Sequence, residues 1–308
     1  MAISWIRSKQ NPAGENPEPT TQLRAKSDSL HQIAIIRGSS LARLISKALQ
    51  TPDGPLAYTE AGGGDKEPLL LVHGGFGAAN HWLKNQAFFA AHYRTLAIDL
   101  PAFGESYRPP KPHTAASVTQ GIGRLLDGLG IEKCLCVAFS FGATMSATYC
   151  QENASRFQKL VLLGPGGLGI TGDVKIGDER RATREMSPEE KHAVFVHNQK
   201  ALMFKNPECA DEAYLSRAWA NLKNSRMNIY AMNREPYLPD LLPACSMPLL
   251  ILWGDADVIA YPTLEERRSA CQKAAPHAEL EIIPGAGHMA QWEQPGIFNE
   301  RVLKFLRS

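Results

Sequence analysis

Three kinds of side chain suited to acyl transfer stand far apart in this chain. Ser140 lies in "LCVAFSFGATMSATYC" (135–150), Asp255 and Asp257 in "WGDADVIAYP" (253–262), and His288 in "PGAGHMAQWE" (284–293). A serine hydroxyl is a poor nucleophile until a base takes its proton. An imidazole can do so near neutral pH, and a carboxylate fixes the imidazole's tautomer and stabilises the imidazolium. A serine within a buried strand would compete with the ladder for backbone hydrogen bonds, so Ser140 needs a reason. Ala138 and Gly142 supply one, two residues to either side. A small-x-Ser-x-Gly spacing fits a strand-to-helix reversal too sharp for larger side chains, with the hydroxyl at its apex. The usual pattern has glycine where Ala138 stands. Either aspartate could serve the histidine from a loop at a strand end.

A fourth element is "LVHGGFGAANHW" (71–82). Glycines after His73 let backbone N–H groups approach a substrate oxygen, and with the Phe141 amide they would form an oxyanion hole, whose loss typically costs about 10² to 10³ in rate. A phosphate cradle is the weaker reading, because neither G-x-x-x-x-G-K-[ST] nor G-x-G-x-x-G occurs at this point. His73 reads as a structural hydrogen-bonding residue, since one imidazole suffices. Asp99 reads as loop-forming. His81, His92, His192 and His197 lack metal spacing and read as exposed or satisfied, and Arg234 as solvated or ion-paired. No metal or cofactor is expected.

These groups need elements to bring them together. Short apolar runs at 68–75, 93–101, 133–140, 158–167, 247–255 and 278–288 alternate with helix-length segments. Runs without polar alternation are buried on both faces, as in a parallel sheet covered by helices, so the class is α/β, a doubly wound, mostly parallel sheet. All parallel strands end on one edge, where Ser140, the aspartates and His288 would converge. Between the fourth and fifth runs lie about eighty residues with helical periodicity. An unstructured loop of that length is implausible in a compact domain, so 166–243 reads as a helical cap over the ligand-binding edge. Residues 51–165 and 244–308 then form the core. Residues 1–50 read as a partly flexible extension, with a strand at 33–38 and a short amphipathic helix at 40–49; residues 54–64 read as a strand ending in a glycine turn.

The bulk composition narrows the partners. At 308 residues, 44% apolar, the chain can bury a large core, and a formal charge of +2 without a dense basic run argues against nucleic acid. A hydrophobic small molecule is the expected partner, with homo-oligomerisation left open. No apolar run is long enough for a membrane span, and the first thirty residues lack a secretory signal's apolar stretch. A cytoplasmic location is therefore expected. The six cysteines form no C-x-x-C pair and read as reduced, mostly buried thiols.

From about residue 54 onward the chain resembles the α/β-hydrolase superfamily. The carriers are "HGG" (73–75), "DLPAFGES" (99–106), "AFSFG" (138–142), "WGDADVIAYP" and "GAGHMAQWE" (285–293), in the family's order and spacing. The resemblance implies Ser140 as nucleophile, His288 as general base and acid, Gly75 and Phe141 as oxyanion donors, and Asp257 rather than Asp255 as the acid. More closely, "VLLGPGGLG" (161–169) and 287–306 resemble the meta-cleavage-product hydrolases, which cleave carbon–carbon bonds in vinylogous diketones. Where that subfamily carries Asn and Met around its nucleophile and Trp after its histidine, this chain has Phe139, Phe141 and Met289; a cap arginine of the subfamily would correspond to Arg217. With Phe76, those side chains predict an apolar entrance and an uncharged, hydrophobic acyl substrate. The expected activity is a cofactor-free serine hydrolase acting on an ester, a lactone or a diketone C–C bond. Alternatives on the same scaffold are a cofactor-independent oxygenase or haloperoxidase-like enzyme, and a slowly hydrolysing ligand receptor.

Overall fold

A computed structural model describes residues 43–168, 176–227, 229, 237–260 and 263–308. Eight strands make one sheet: β1 (Ile45–Thr51), β2 (Gly54–Ala61), β3 (Pro68–Val72), β4 (Arg94–Ile98), β5 (Cys134–Phe139), β6 (Phe157–Leu163), β7 (Leu249–Gly254) and β8 (Glu279–Ile283). Their spatial order is β1-β2-β4-β3-β5-β6-β7-β8. β1 and β2 join antiparallel at one edge; from β4 to β8 every neighbouring pair is parallel.

The α-helices among the described residues include α1 (Gln86–Ala90), α2 (Ala115–Gly128), α3 (Phe141–Asn153), α4 (Pro188–Met203), α5 (Glu212–Asn224), α6 (Leu238–Leu241), α7 (Leu264–Ala274), α8 (Ala290–Glu293) and α9 (Pro295–Arg307). Alternate residues of each central strand feed opposite cores. In β5, Cys134, Cys136 and Ala138 pack with Val118 and Ile122 of α2 and Met145 of α3. Leu135, Val137 and Phe139 pack on the other face with Phe89 of α1 and with Phe298 and Val302 of α9. Burial on both faces is why these runs carry no polar alternation.

One expectation is corrected. The helix expected over 40–49 is absent: Ile45–Thr51 is a strand paired along its length with β2, from Ile45 opposite Glu60 to Thr51 opposite Gly54. The 3.6-residue spacing of its apolar residues is overridden by hairpin pairing with a neighbour that already belongs to the sheet. The sheet therefore begins inside the segment 1–50 assigned to an extension. The strand expected at 33–38 lies outside the described residues. No helix among the described residues is long and apolar enough to cross a membrane, and the six cysteines are free thiols, all but Cys209 buried.

Candidate active site

Ser140 sits between the end of β5 and the start of α3, with φ 51° and ψ −115°. A positive φ is unfavourable for a residue with a side chain and persists only where its surroundings hold it. Here Ser140 N–H donates to Leu163 O at 2.8 Å, while Ser140 O accepts from Ala143 N–H at 3.0 Å and Gly166 N–H at 3.2 Å. Gly142 is required by contact: a Cβ there would lie 2.2 Å from His73 O. The turn therefore locks the serine and presses it against the strand that carries the glycine loop.

His288 follows β8 and Asp257 follows β7. His288 Nε2 lies 3.0 Å from Ser140 Oγ, and its Nδ1 lies 2.9 Å from Asp257 Oδ2. Histidine and aspartate are both buried. Asp257 Oδ1 accepts from Ile259 N–H at 3.0 Å, which fixes the carboxylate's rotation. Gly164, with φ +49°, leaves room for the pair, since a Cβ there would stand 3.1 Å from the His288 ring. Asp255 is occupied elsewhere: it accepts from Ala286 N–H at 3.1 Å and pairs with Lys205 Nζ at 3.1 Å. Burial would raise its pKa, but hydrogen bonds from the backbone of Gly285 and Ala286 and from Lys205 outweigh this and hold its carboxyl below the usual range.

Gly75 and Phe141 lie side by side, a Cβ on Gly75 falling 3.5 Å from Phe141 Cβ. Among the described residues neither backbone N–H meets a protein acceptor. Two free donors beside Ser140, one of them in the first turn of a helix, suit a developing oxyanion. His73 stands behind this loop, fully buried. Its Nδ1–H donates to Gly74 O at 2.7 Å and its Nε2 accepts from Leu100 N–H at 3.0 Å. Burial pushes its pKa down to about 4, against the Gly74 hydrogen bond, so it stays neutral as a structural strut. Asp99 accepts from Ala79 N–H at 2.6 Å and Glu105 N–H at 3.0 Å, holding its loop. Burial raises its pKa, opposed by those two bonds.

Above Ser140 opens a cavity of about 210 Å³ with mostly apolar walls. Phe76, Phe139 and Met289 line it, as does His81, and the Phe139 ring packs 4.9 Å from the His288 ring. Arg217 does not. Its guanidinium lies over the Trp292 ring, 5.5 Å from the centroid. The cavity face of α5 is the stripe Tyr214, Ala218, Leu222, and Arg217, one residue before Ala218, points about 100° away. Arg234 lies outside the described residues.

His81, expected to be exposed or satisfied, is hydrogen-bonded and also lines the cavity. Its Nδ1 accepts weakly from Gly74 N–H at 3.4 Å, and burial, followed by the neighbouring His73 and His288, pushes its pKa down to about 3. Phe195, Asn198, Gln199 and Leu202 of α4 and Tyr214 of α5 line the cavity without having been singled out from sequence. Their signal was present: Phe195, Asn198, Gln199 and Leu202 repeat at i, i+3, i+4, i+7 along α4, one face of a helix.

A model of the alpha/beta hydrolase fold family matches residues 67–295. The chain belongs to that family and is an enzyme of it, with hydrolases and esterases among its relatives and structural neighbours. The dihydrolipoyllysine-residue acetyltransferase component of the acetoin cleaving system from Pseudomonas putida is 31% identical over 82% of this chain and 66% of its own length. This chain therefore spans about two-thirds of that relative. A 2-hydroxy-6-oxononadienedioate/2-hydroxy-6-oxononatrienedioate hydrolase from Pseudomonas sp is 28% identical over 82% of this chain and 92% of that protein. Among solved structures, naproxen esterase (carboxylesterase NP) from Bacillus subtilis superposes with a TM-score of 0.71 at 23% identity, covering 86% of this chain and 92% of that one. That likeness is one of fold.

Proposed function

We propose that this chain is a cofactor-free serine hydrolase that cleaves an uncharged, hydrophobic carboxylic ester or lactone through an acyl-enzyme. The observation that carries the reading is the hydrogen-bonded line from Ser140 through His288 to Asp257 on the floor of an apolar cavity. Ser140 Oγ attacks the carbonyl carbon as its proton passes to His288 Nε2, and Asp257 stabilises the imidazolium. The oxyanion is held by the N–H groups of Gly75 and Phe141. Collapse expels the alcohol, which takes the proton from His288. A water then adds to the acyl carbon, giving a proton to His288, and the acid leaves as Ser140 Oγ recovers its proton. The helices between β6 and β7 act as a cap that excludes water from these steps.

Carbon–carbon bond cleavage is the second reading, favoured by the Pseudomonas sp relative. That relative is named for dioate substrates, which carry two carboxylates. No lysine or arginine is among the described residues lining the cavity, which favours the ester reading.

The test is the intact mass of the protein after brief exposure to a fluorophosphonate, beside Ser140→Ala, followed by panels of p-nitrophenyl esters and 1,5-dienediones. One adduct, lost in the variant, with turnover of esters is the expected result. Turnover of dienediones alone would move the reading to C–C hydrolysis. A folded wild type that takes no adduct would overturn it in favour of an oxygenase or a ligand receptor.

A further inference from the structure

Among the described residues, helices α4 and α5 present three polar side chains to the cavity, Asn198, Gln199 and Tyr214, and their hydrogen bonds differ in what they leave over. Asn198 is spent: its Oδ1 accepts from Arg180 N–H and its Nδ2 donates to Arg180 O, both at 2.8 Å. Its amide ties the segment before α4 to the helix. Tyr214 is 5% exposed, and burial drives its phenol far above the ordinary range, so it keeps its proton and has to donate it. Two acceptors lie in reach, Gln199 Oε1 at 2.7 Å and Met289 Sδ at 3.0 Å. A thioether accepts weakly and an amide carbonyl well, so the proton goes to Gln199.

That bond decides the rotation of the Gln199 amide. With Oε1 turned to the tyrosine, the NH₂ group is directed away from it. Among the described residues no protein acceptor meets Gln199 Nε2, and the atom keeps solvent-accessible surface while the residue itself lines the cavity. A donor held in one orientation at the wall of an apolar cavity is the kind of group that fixes a ligand's pose.

The charge balance narrows what it can hold. The lining has no lysine or arginine among the described residues, and His81, with its pKa near 3, is neutral at physiological pH. Among the described lining residues a carboxylate would meet no counter-charge and be disfavoured, whereas a keto or ether oxygen needs one N–H. We propose that Gln199, oriented by Tyr214, is a specificity-determining residue that donates a hydrogen bond to a second, uncharged oxygen of the substrate, a keto or ether oxygen remote from the scissile carbonyl. The inference rests on the reading of this cavity as the acyl-transfer site. Tyr214 is a positioning residue, acting through the amide it orients.

The experiment compares p-nitrophenyl 4-oxopentanoate, 5-oxohexanoate and 6-oxoheptanoate, each against its parent ester without the keto group. In wild type the keto-to-parent ratio of kcat/KM is expected to reach about 10 for the best-placed ketone, the scale of one net hydrogen bond to a donor that water can also reach. In Gln199→Leu the ratio falls to about one, in Tyr214→Phe it lies between, and in Gln199→Glu, where an acceptor faces the ketone, it drops below one. Gln199→Met replaces Gln199→Leu should the latter fail to fold. A wild-type ratio at or below one for all three ketones, or an equal ratio in wild type and Gln199→Leu, overturns the inference. The same ratio is read as Kd by calorimetry with the methyl esters on Ser140→Ala, with and without Gln199→Leu. This arm needs no turnover. A wild type that hydrolyses no ester would sink the hydrolase reading, while the Kd ratio would still decide the role of Gln199.

Discussion

Asp255 and Asp257 are separated by a single alanine, yet they face different partners, and conservative changes divide their roles. Asp257→Asn keeps the volume but loses the charge beside His288 Nδ1, so kcat is expected to fall by about 10³ to 10⁴. Asp255→Asn weakens the Lys205 pair on the surface and should change kcat less than twofold, with single-turnover kinetics as the check. An inverse ranking would reassign the acid. His73 carries a prediction about pH. Its folded pKa, near 4, lies below the ordinary value of 6.5, so the folded state holds it neutral while the unfolded chain takes up a proton. Its contribution is fully present above pH 6.5 and is lost as pH falls from there toward 4, on the order of 3 kcal/mol in all. Urea unfolding of wild type and His73→Gln between pH 7 and 4 should show the shallower loss in the variant. Equal slopes would exclude His73 as the source.

At the scale of elements, two helix starts matter most. The β5-to-α3 turn tolerates nothing larger than glycine at position 142, because the obstacle is the rigid carbonyl of His73 rather than a movable side chain. Gly142→Ala is expected to lower stability by about 1 to 3 kcal/mol and to lower kcat, since the displaced strand carries the glycine loop beside Ser140; thermal melts and ester kinetics check both. Helix α4 begins with a capping box, in which Ser187 Oγ accepts from Glu190 N–H at 3.1 Å and Glu190 Oε2 accepts from Ser187 N–H at 2.6 Å. Ser187→Ala should cost about 1 kcal/mol of local stability. Amide hydrogen exchange is then expected to quicken through 188–203. Exchange spreading to β5 would mean instead that the cap and the core open as one unit.

For the molecule as a whole, loops at the sheet edge and helices α4 and α5 line a mostly apolar volume of about 210 Å³. Each methylene moved from water into such a space gains about 0.8 kcal/mol, so kcat/KM should rise about fourfold per added carbon of a straight acyl chain. The rise should stop and reverse once the cavity is full. A flat or falling series from the shortest ester would contradict an enclosed acyl pocket and point to a site that binds its ligand through polar contacts alone.

Much of the parallel sheet was legible in the sequence, because strands buried on both faces are written as uninterrupted apolar runs and their helices as the segments between. Ser140 and His288 were legible for a related reason: strand ends in such a sheet share one edge, so groups just past them meet whatever their separation in sequence. β1 was not legible, since an apolar spacing read over ten residues does not reveal the partner strand that decides between helix and hairpin. Nor was the lining of the cavity. Helical periodicity announced α4 and α5 but not which stripe of each turns inward, so Arg217 was expected at the substrate while Tyr214 and Gln199 were passed over. Local sequence, through propensity and burial pattern, determined the elements and the order in which Ser140, the aspartates and His288 follow their strands. Only the packing of α4 and α5 against the sheet edge decided which side chains line the cavity, because that depends on the angle at which two separately formed surfaces meet.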